Sequence, residues 1–150
     1  MKALLSVVML IPSIVACAAE SPTATSTPDR PLLAVEWRGG LCPYGGCTTT
    51  LEVTTDGAYR LVEGSGVEEA GTVASTLVDA LSDAVATANF DAVRVHGSTE
   101  VCPTAYDGQE IVYTFHASTG DERMSTCEDV IEFDLDPLPQ TLAIIEAVGR

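Results

Sequence analysis

Whatever this chain folds into has to be built from residues 32–150, because the first thirty-one read as a leader and a linker. Lys2 is followed by an apolar run over residues 3–16 that closes on Ile14-Val15-Ala16. One basic residue, a short hydrophobic segment and small side chains before a cut site mark an export signal, removed from the mature protein. The run is fourteen residues long and contains Pro12 and Ser13. A membrane-spanning helix needs about 20 apolar residues to cross roughly 30 Å of hydrocarbon, so this segment is too short. Residues 18–31 (AAESPTATSTPDRP) carry no bulky apolar side chain. Such a segment cannot bury enough surface to offset its ordering entropy, and it reads as a disordered spacer reaching roughly 20 Å root-mean-square.

The tetrapeptide Ile14-Val15-Ala16-Cys17 resembles the signal of bacterial lipoproteins. The resemblance implies that residues 1–16 are the signal peptide and that Cys17 is lipidated and becomes the new N-terminus. The protein would then be held to the cell membrane or outer membrane, facing the extracytoplasmic side. Ala18 stands where an inner-membrane retention signal would place Asp, which by the same resemblance points to an outer leaflet. Ala16-Cys17-Ala18 also fits an ordinary small-x-small cut site, which would release the protein instead. Two acyl chains, as such a lipoprotein carries, hold stably where one is marginal.

Without the leader no lysine remains, and six arginines face 22 acids, a net charge of −16. Nucleic-acid affinity comes largely from neutralising phosphates, so nucleic acid is excluded as a partner. Lying flat on anionic lipid is disfavoured for the same reason. A domain this acidic, on a tether longer than the roughly 8 Å Debye length, stands off in solvent. Solubility accounts for the acidity as readily as an acidic recognition face does.

Residues 32–150 suit one domain with one core. They hold Cys42, Cys47, Cys102 and Cys127. An even number in an exported chain reads as two disulfides. A structural zinc site would want close pairs on both sides, and Cys102 and Cys127 are too far apart in sequence to supply one. Three pairings exist; Gly45-Gly46 favours a short Cys42–Cys47 loop, leaving Cys102–Cys127. By loop closure these contribute about 2 and about 3.5 kcal/mol.

Strands are expected over residues 32–37, 48–54, 58–62 and, more weakly, 67–73, with Asp56-Gly57 a hairpin turn. Leu77, Leu81, Val85 and Ala88 then recur at helical spacing. Ser75 or Thr76 would cap that helix, with Asp79 near its positive end and Asn89 its stop. Residues 94–108 lack periodicity and read as a long loop ending in the Tyr106-Asp107-Gly108 turn. Strands follow over 110–117, 122–126 and 130–135, the last placing Ile131, Phe133 and Leu135 on one face. A closing helix from Asp136-Pro137 would bury Leu138, Leu142 and Ile145. The expected fold is α+β, an antiparallel sheet of five to six strands with two helices packed on one face.

Catalytic signatures are scarce. A Schiff-base or Walker lysine is excluded, and neither a G-x-S-x-G elbow nor an H-E-x-x-H helix is present. With the domain cysteines paired, no thiolate nucleophile remains. His116 reads as a surface residue, His96 as a loop histidine with a weak claim to a site, and Trp37 as a core or edge residue. Glu128, Asp129, Glu132, Asp134 and Asp136 lack the glycine and terminal glutamate of a calcium loop and read as a solvated strand face. No catalytic residue, metal or cofactor is assigned.

Several short motifs occur in a shared order: Arg38-Gly39-Gly40, Asp56-Gly57, the Leu77/Leu81 helix ending at Asn89-Phe90, Tyr113-Thr114-Phe115, and the closing Pro137-Leu138 helix. Together they resemble a group of small exported bacterial α+β domains that includes the emfourin family. That resemblance implies inhibition of a thermolysin-like metallopeptidase, a secreted protease as partner. The Cys42-Pro43-Tyr44 loop is similar to secreted domains with a Cys-Pro turn at this place. The inserted residues 41–47 and the cysteine pairs depart from the inhibitor pattern, so no inhibitory residue is carried over. The sequence reads as a lipid-anchored, non-enzymatic binding module of the envelope, with an emfourin-like inhibitor as the alternative.

Overall fold

Leu33, Val35 and Trp37 alternate with Ala34, Glu36 and Arg38 along β1 (Pro31–Gly39), which gives one strand an apolar side and a polar side. In the computed structural model, which describes residues 30–40, 47–64, 66, 68–97 and 101–150, that strand lies inside the sheet. It pairs antiparallel with β2 (Thr48–Thr54) on one side and with β6 (Gln109–Ala117) on the other. Hairpins add β3 (Ala58–Glu63) and β4 (Glu68–Thr72) beyond β2, and β7 (Gly120–Ser125) beyond β6. The order is β4-β3-β2-β1-β6-β7.

Register makes the core. Val35 sits opposite both Leu51 and Tyr113, and Leu33 opposite Val53 and Phe115, so all six project to one face. Helix α1 (Ser75–Thr87) covers that face with Val78, Leu81 and Val85, and α3 (Leu138–Ala147) with Leu138 and Ile144. Each such side chain, fully buried, stabilises the fold by about 1.5–3 kcal/mol. The opposite face carries ion pairs, Arg60 with Glu68 at 2.6 Å and His116 with Asp121 at 2.8 Å, beside a fully buried Val112. Exposed pairs of this kind contribute little. The protein is thus α+β with a six-stranded antiparallel sheet.

Among the described residues there are three α-helices rather than two. Asn89 does not merely stop α1; its Oδ1 accepts from the Ala92 amide at 3.4 Å and opens the short helix α2 (Phe90–Val93). The N-cap of α1 is Ala74, whose carbonyl takes the Leu77 and Val78 amides and whose methyl offers no oxygen for a side-chain cap. Ser75 and Thr76 lie inside the helix and cannot serve, and no acid occupies its first turn.

The expected loop over residues 94–108 contains β5 (Arg94–His96) and a 3-10 turn, Pro103–Tyr106. β5 pairs antiparallel with β8 (Asp129–Ile131) in a separate two-stranded ribbon. Three residues paired across so long a separation leave no periodicity to read. The strand expected over 130–135 ends at Ile131, and Phe133 and Leu135 stand in turns, about two-fifths exposed. Nor is the acidic run wholly solvated. Asp129 is buried, its Oδ2 accepting the Ser125 amide at 3.0 Å. In α3 the buried face is Leu138, Thr141 and Ile144, while Leu142 is exposed, a register one residue from the expected one. The N-cap is Pro137, preceded by a cis Asp136-Pro137 bond, and Asp136 accepts from the Gln140 amide instead.

Candidate functional site

Arg30 marks where the chain enters the domain. Its guanidinium donates to the Ala117 carbonyl at 2.9 Å, and its own carbonyl accepts the Thr55 amide at 3.2 Å. Pro31 already pairs with Thr54, one residue before the expected domain start. Two tight turns share this end. In one, Gly57 at φ +87° donates its amide to Thr54, and the Asp56 carboxylate accepts the Ala58 amide at 3.1 Å. The other joins β6 to β7 through residues 118 and 119.

From here β1 runs nine residues, roughly 26 Å at strand rise. At its far end β1 stops, β2 and β6 start and β7 stops, so Cys47, Cys102 and Cys127 are gathered there. Cys102 and Cys127 form a disulfide, Cα to Cα 4.7 Å. Cys17 and Cys42 lie outside the described residues, as does the loop over 41–46. The base of that loop is described: the Gly39 amide donates to the Cys47 carbonyl at 3.0 Å.

Gly39 is required at this base. It sits at φ +84°, where side chains are disfavoured, and an added Cβ would lie 2.8 Å from Thr104 Cγ2 and 2.9 Å from the Gly108 carbonyl. The loop base and the 103–108 turn are therefore in contact. That turn closes on itself, Gly108 donating its amide to the Pro103 carbonyl at 2.8 Å with Asp107 at φ 62°. Across the sheet, Ser125 is fully buried and both sides of its hydroxyl are used. It donates to Glu110 at 2.5 Å and accepts the Cys127 amide at 3.0 Å. Thr126 adds a reciprocal pair with the Ile111 backbone, at 2.9 and 3.0 Å. This network fixes the backbone that carries Cys127.

Two clefts open beside it on the helix-covered face. One, of about 220 Å³, is lined by Trp37, Thr49, Gln109, Ile145 and Arg150. The other, of about 250 Å³, is lined by Leu61, Glu63, Glu69 and residues 148–150. Arg150 borders both, its guanidinium paired with Glu63. An aromatic ring, an amide and a cation around a shallow cleft are groups that anchor protein or peptide partners.

Trp37 thus packs against the core and also lines a cleft. The other residues lining that cleft come from β2, β6, α3 and the residue at position 150 beyond it, and nothing local in the sequence marks them. His116 is held by Asp121 at the entry end, far from the cystine, and His96 stands opposite Asp129 in the ribbon register. His116 is therefore not brought to the cysteines' surface. Burial pushes the Tyr113 hydroxyl up to about 12, which keeps it neutral at any physiological pH. Among the described residues, no group of three or more His, Cys, Asp or Glu is placed to share a metal ion. No described helix is long and apolar enough to cross a membrane.

No protein-family model matches the chain, and no curated protein matches it.

Proposed function

We propose that the protein is a lipid-anchored binding module on the extracytoplasmic side of a bacterial envelope, with no catalytic role of its own. The observation that carries this reading is the polarity of the sheet. The chain enters at Arg30, and the cysteine-bearing loops are gathered at the opposite end. With Cys17 in the bilayer and the linker expected over residues 17–31 beneath, the cystine end points away from the membrane. A second disulfide, Cys42–Cys47, belongs to the same reading. In its support, Cys47 is disulfide-bonded, and the Gly39–Cys47 backbone contact holds the two loop ends together. Mass spectrometry of the protein recovered from native membranes tests it. The expected species begins at an acylated Cys17 and has all four domain thiols oxidised; an intact leader with free thiols overturns it.

The closed base at Gly39 also favours the alternative, an emfourin-like inhibitor of a thermolysin-like metallopeptidase. A loop ordered before binding loses less entropy on contact. Titrating the purified chain against thermolysin-like enzymes decides this reading, and unchanged rates at micromolar protein dispose of it.

A further inference from the structure

We propose that the β5–β8 ribbon and the turn that follows it form the docking surface for a basic, apolar-bearing segment of a protein partner. The proposal rests on the binding-module reading and specifies the partner's chemistry.

Val95 and Val130 face each other in the ribbon register, so their side chains share one side of it, 49% and 48% exposed. Downstream, Phe133 lies edge-on to the buried Tyr113 ring at 6.3 Å, which anchors it while 40% of it stays exposed. Leu135, 42% exposed, borders a mainly apolar cleft of about 200 Å³ with Ala88, Ala92 and Val93. Four large apolar side chains thus stand open within one short ribbon and turn. Scattered single exposures are ordinary, but a set along one segment marks an interaction surface.

Charge decides the occupant. Glu132, Asp134 and Asp136 are exposed among these apolar residues. Among the described residues, no ion pair holds Glu132 or Asp134. Five of the protein's six arginines are paired with other acids, and Arg30 is engaged by the Ala117 carbonyl. Of those pairs, Arg94–Glu122, at 3.5 Å, starts from the ribbon itself at the position before Val95, and Arg123–Glu128, at 3.4 Å, touches its margin; both cations are already engaged. A second copy of the chain would bring the same carboxylates face to face, and an anionic bilayer would repel them. An uncharged apolar ligand would strip water from the acids without replacing it. A segment carrying Lys or Arg beside bulky apolar residues meets both requirements, filling the cleft at Leu135 and pairing with Glu132 and Asp134.

The purified full chain is titrated with a nine-residue peptide of alternating lysine and leucine, with amide hydrogen exchange to locate the contact. Protection is expected over residues 93–96 and 130–136. Leu135→Ser should weaken binding about tenfold. Glu132→Gln or Asp134→Asn, conservative changes at exposed positions, should each weaken it about threefold. A lysine–serine peptide should bind at least about tenfold more weakly. Equal binding of that peptide, unchanged affinity in the folded variants, protection elsewhere, or dimerisation that protects 130–136 would each overturn the proposal. A photo-crosslinking residue placed at Leu135 or at Thr104 in cells separates this proposal from the reading beneath it. Adducts to a basic segment from Leu135 support both. Adducts from Thr104 alone remove this surface and keep the binding module, and adducts from neither remove both.

Discussion

The two ends of the sheet solve the same problem, returning a strand, by different means. At the entry end, turns of three and two residues close through backbone hydrogen bonds and the Asp56 carboxylate. At the far end the β3–β4 connection is short, but the one from β1 to β2 and those leading into β6 and out of β7 are held by a cystine, by the Gly39 contact with the 103–108 turn, and by buried Ser125. Short turns need only the right local backbone conformation. Long loops have ordering entropy to overcome, and covalent or packed ties supply what local geometry cannot. The far end is thus fastened by ties that the entry turns lack.

Substitutions at the two ends can break this contrast. The largest effect is expected from replacing Cys102 and Cys127 together by serine. The cross-link closes a separation of 25 residues, and its loss should lower unfolding stability by about 3.5 kcal/mol. Urea unfolding measures this, and a change below about 1 kcal/mol would mean that the loop is ordered without its cystine. Next comes Gly39→Ala at the same end. A positive φ together with a backbone carbonyl 2.9 Å from the new Cβ should cost about 3 kcal/mol. Gly57→Ala at the entry end meets its nearest neighbours only at 3.1 and 3.3 Å, so about 1.5–2 kcal/mol is expected, mainly from the dihedral. Thermal melts of the two variants should rank in that order; a reversal would show that the far end yields more easily than the entry turn.

The alkaline limb gives a prediction common to both ends. Tyr113 lies in the core, and its folded pKa of about 12 exceeds the value of about 10 expected in the unfolded chain. Between those values the folded state keeps a proton that the unfolded state has lost, so stability falls as pH rises. The contribution is complete below about pH 10 and gone above about pH 12. Urea midpoints across that window should decline, and Tyr113→Phe should flatten the decline. The smallest effect is expected at the exposed Arg60–Glu68 pair on the face opposite the helices. Arg60→Gln should leave the melting temperature within error, because solvent already screens that pair.

Most of the sheet was legible because strand signals are local. Alternation in residues 32–37 and 110–117 and the Asp56-Gly57 turn carry their information within a few residues, and the observed strands agree to within one or two positions. The 130–135 strand failed for an instructive reason. Ile131, Phe133 and Leu135 alternate as a strand would, but after Ile131 no partner strand remains, and the Glu132 amide turns to the Val93 carbonyl at 2.9 Å. Asp129 looked like one acid among five until the fold buried it against the Ser125 amide. Of the candidate surface, the cysteines and Trp37 were visible. Thr49, Gln109, Ile145 and Arg150 were not, since no spacing rule joins residues so far apart in the chain.

What the chain's own letters determine are the features that one segment can specify alone. They are the alternation of β1, β2 and β6, the helical period of α1, and the excess of acids over arginines. Tertiary structure alone decided that β1 lies between β2 and β6, that the cysteines collect opposite Arg30, and that Val95 meets Val130. The reason is physical. Dihedral preference and periodicity act over a few residues, whereas the choice of partner depends on which distant surfaces exclude water together.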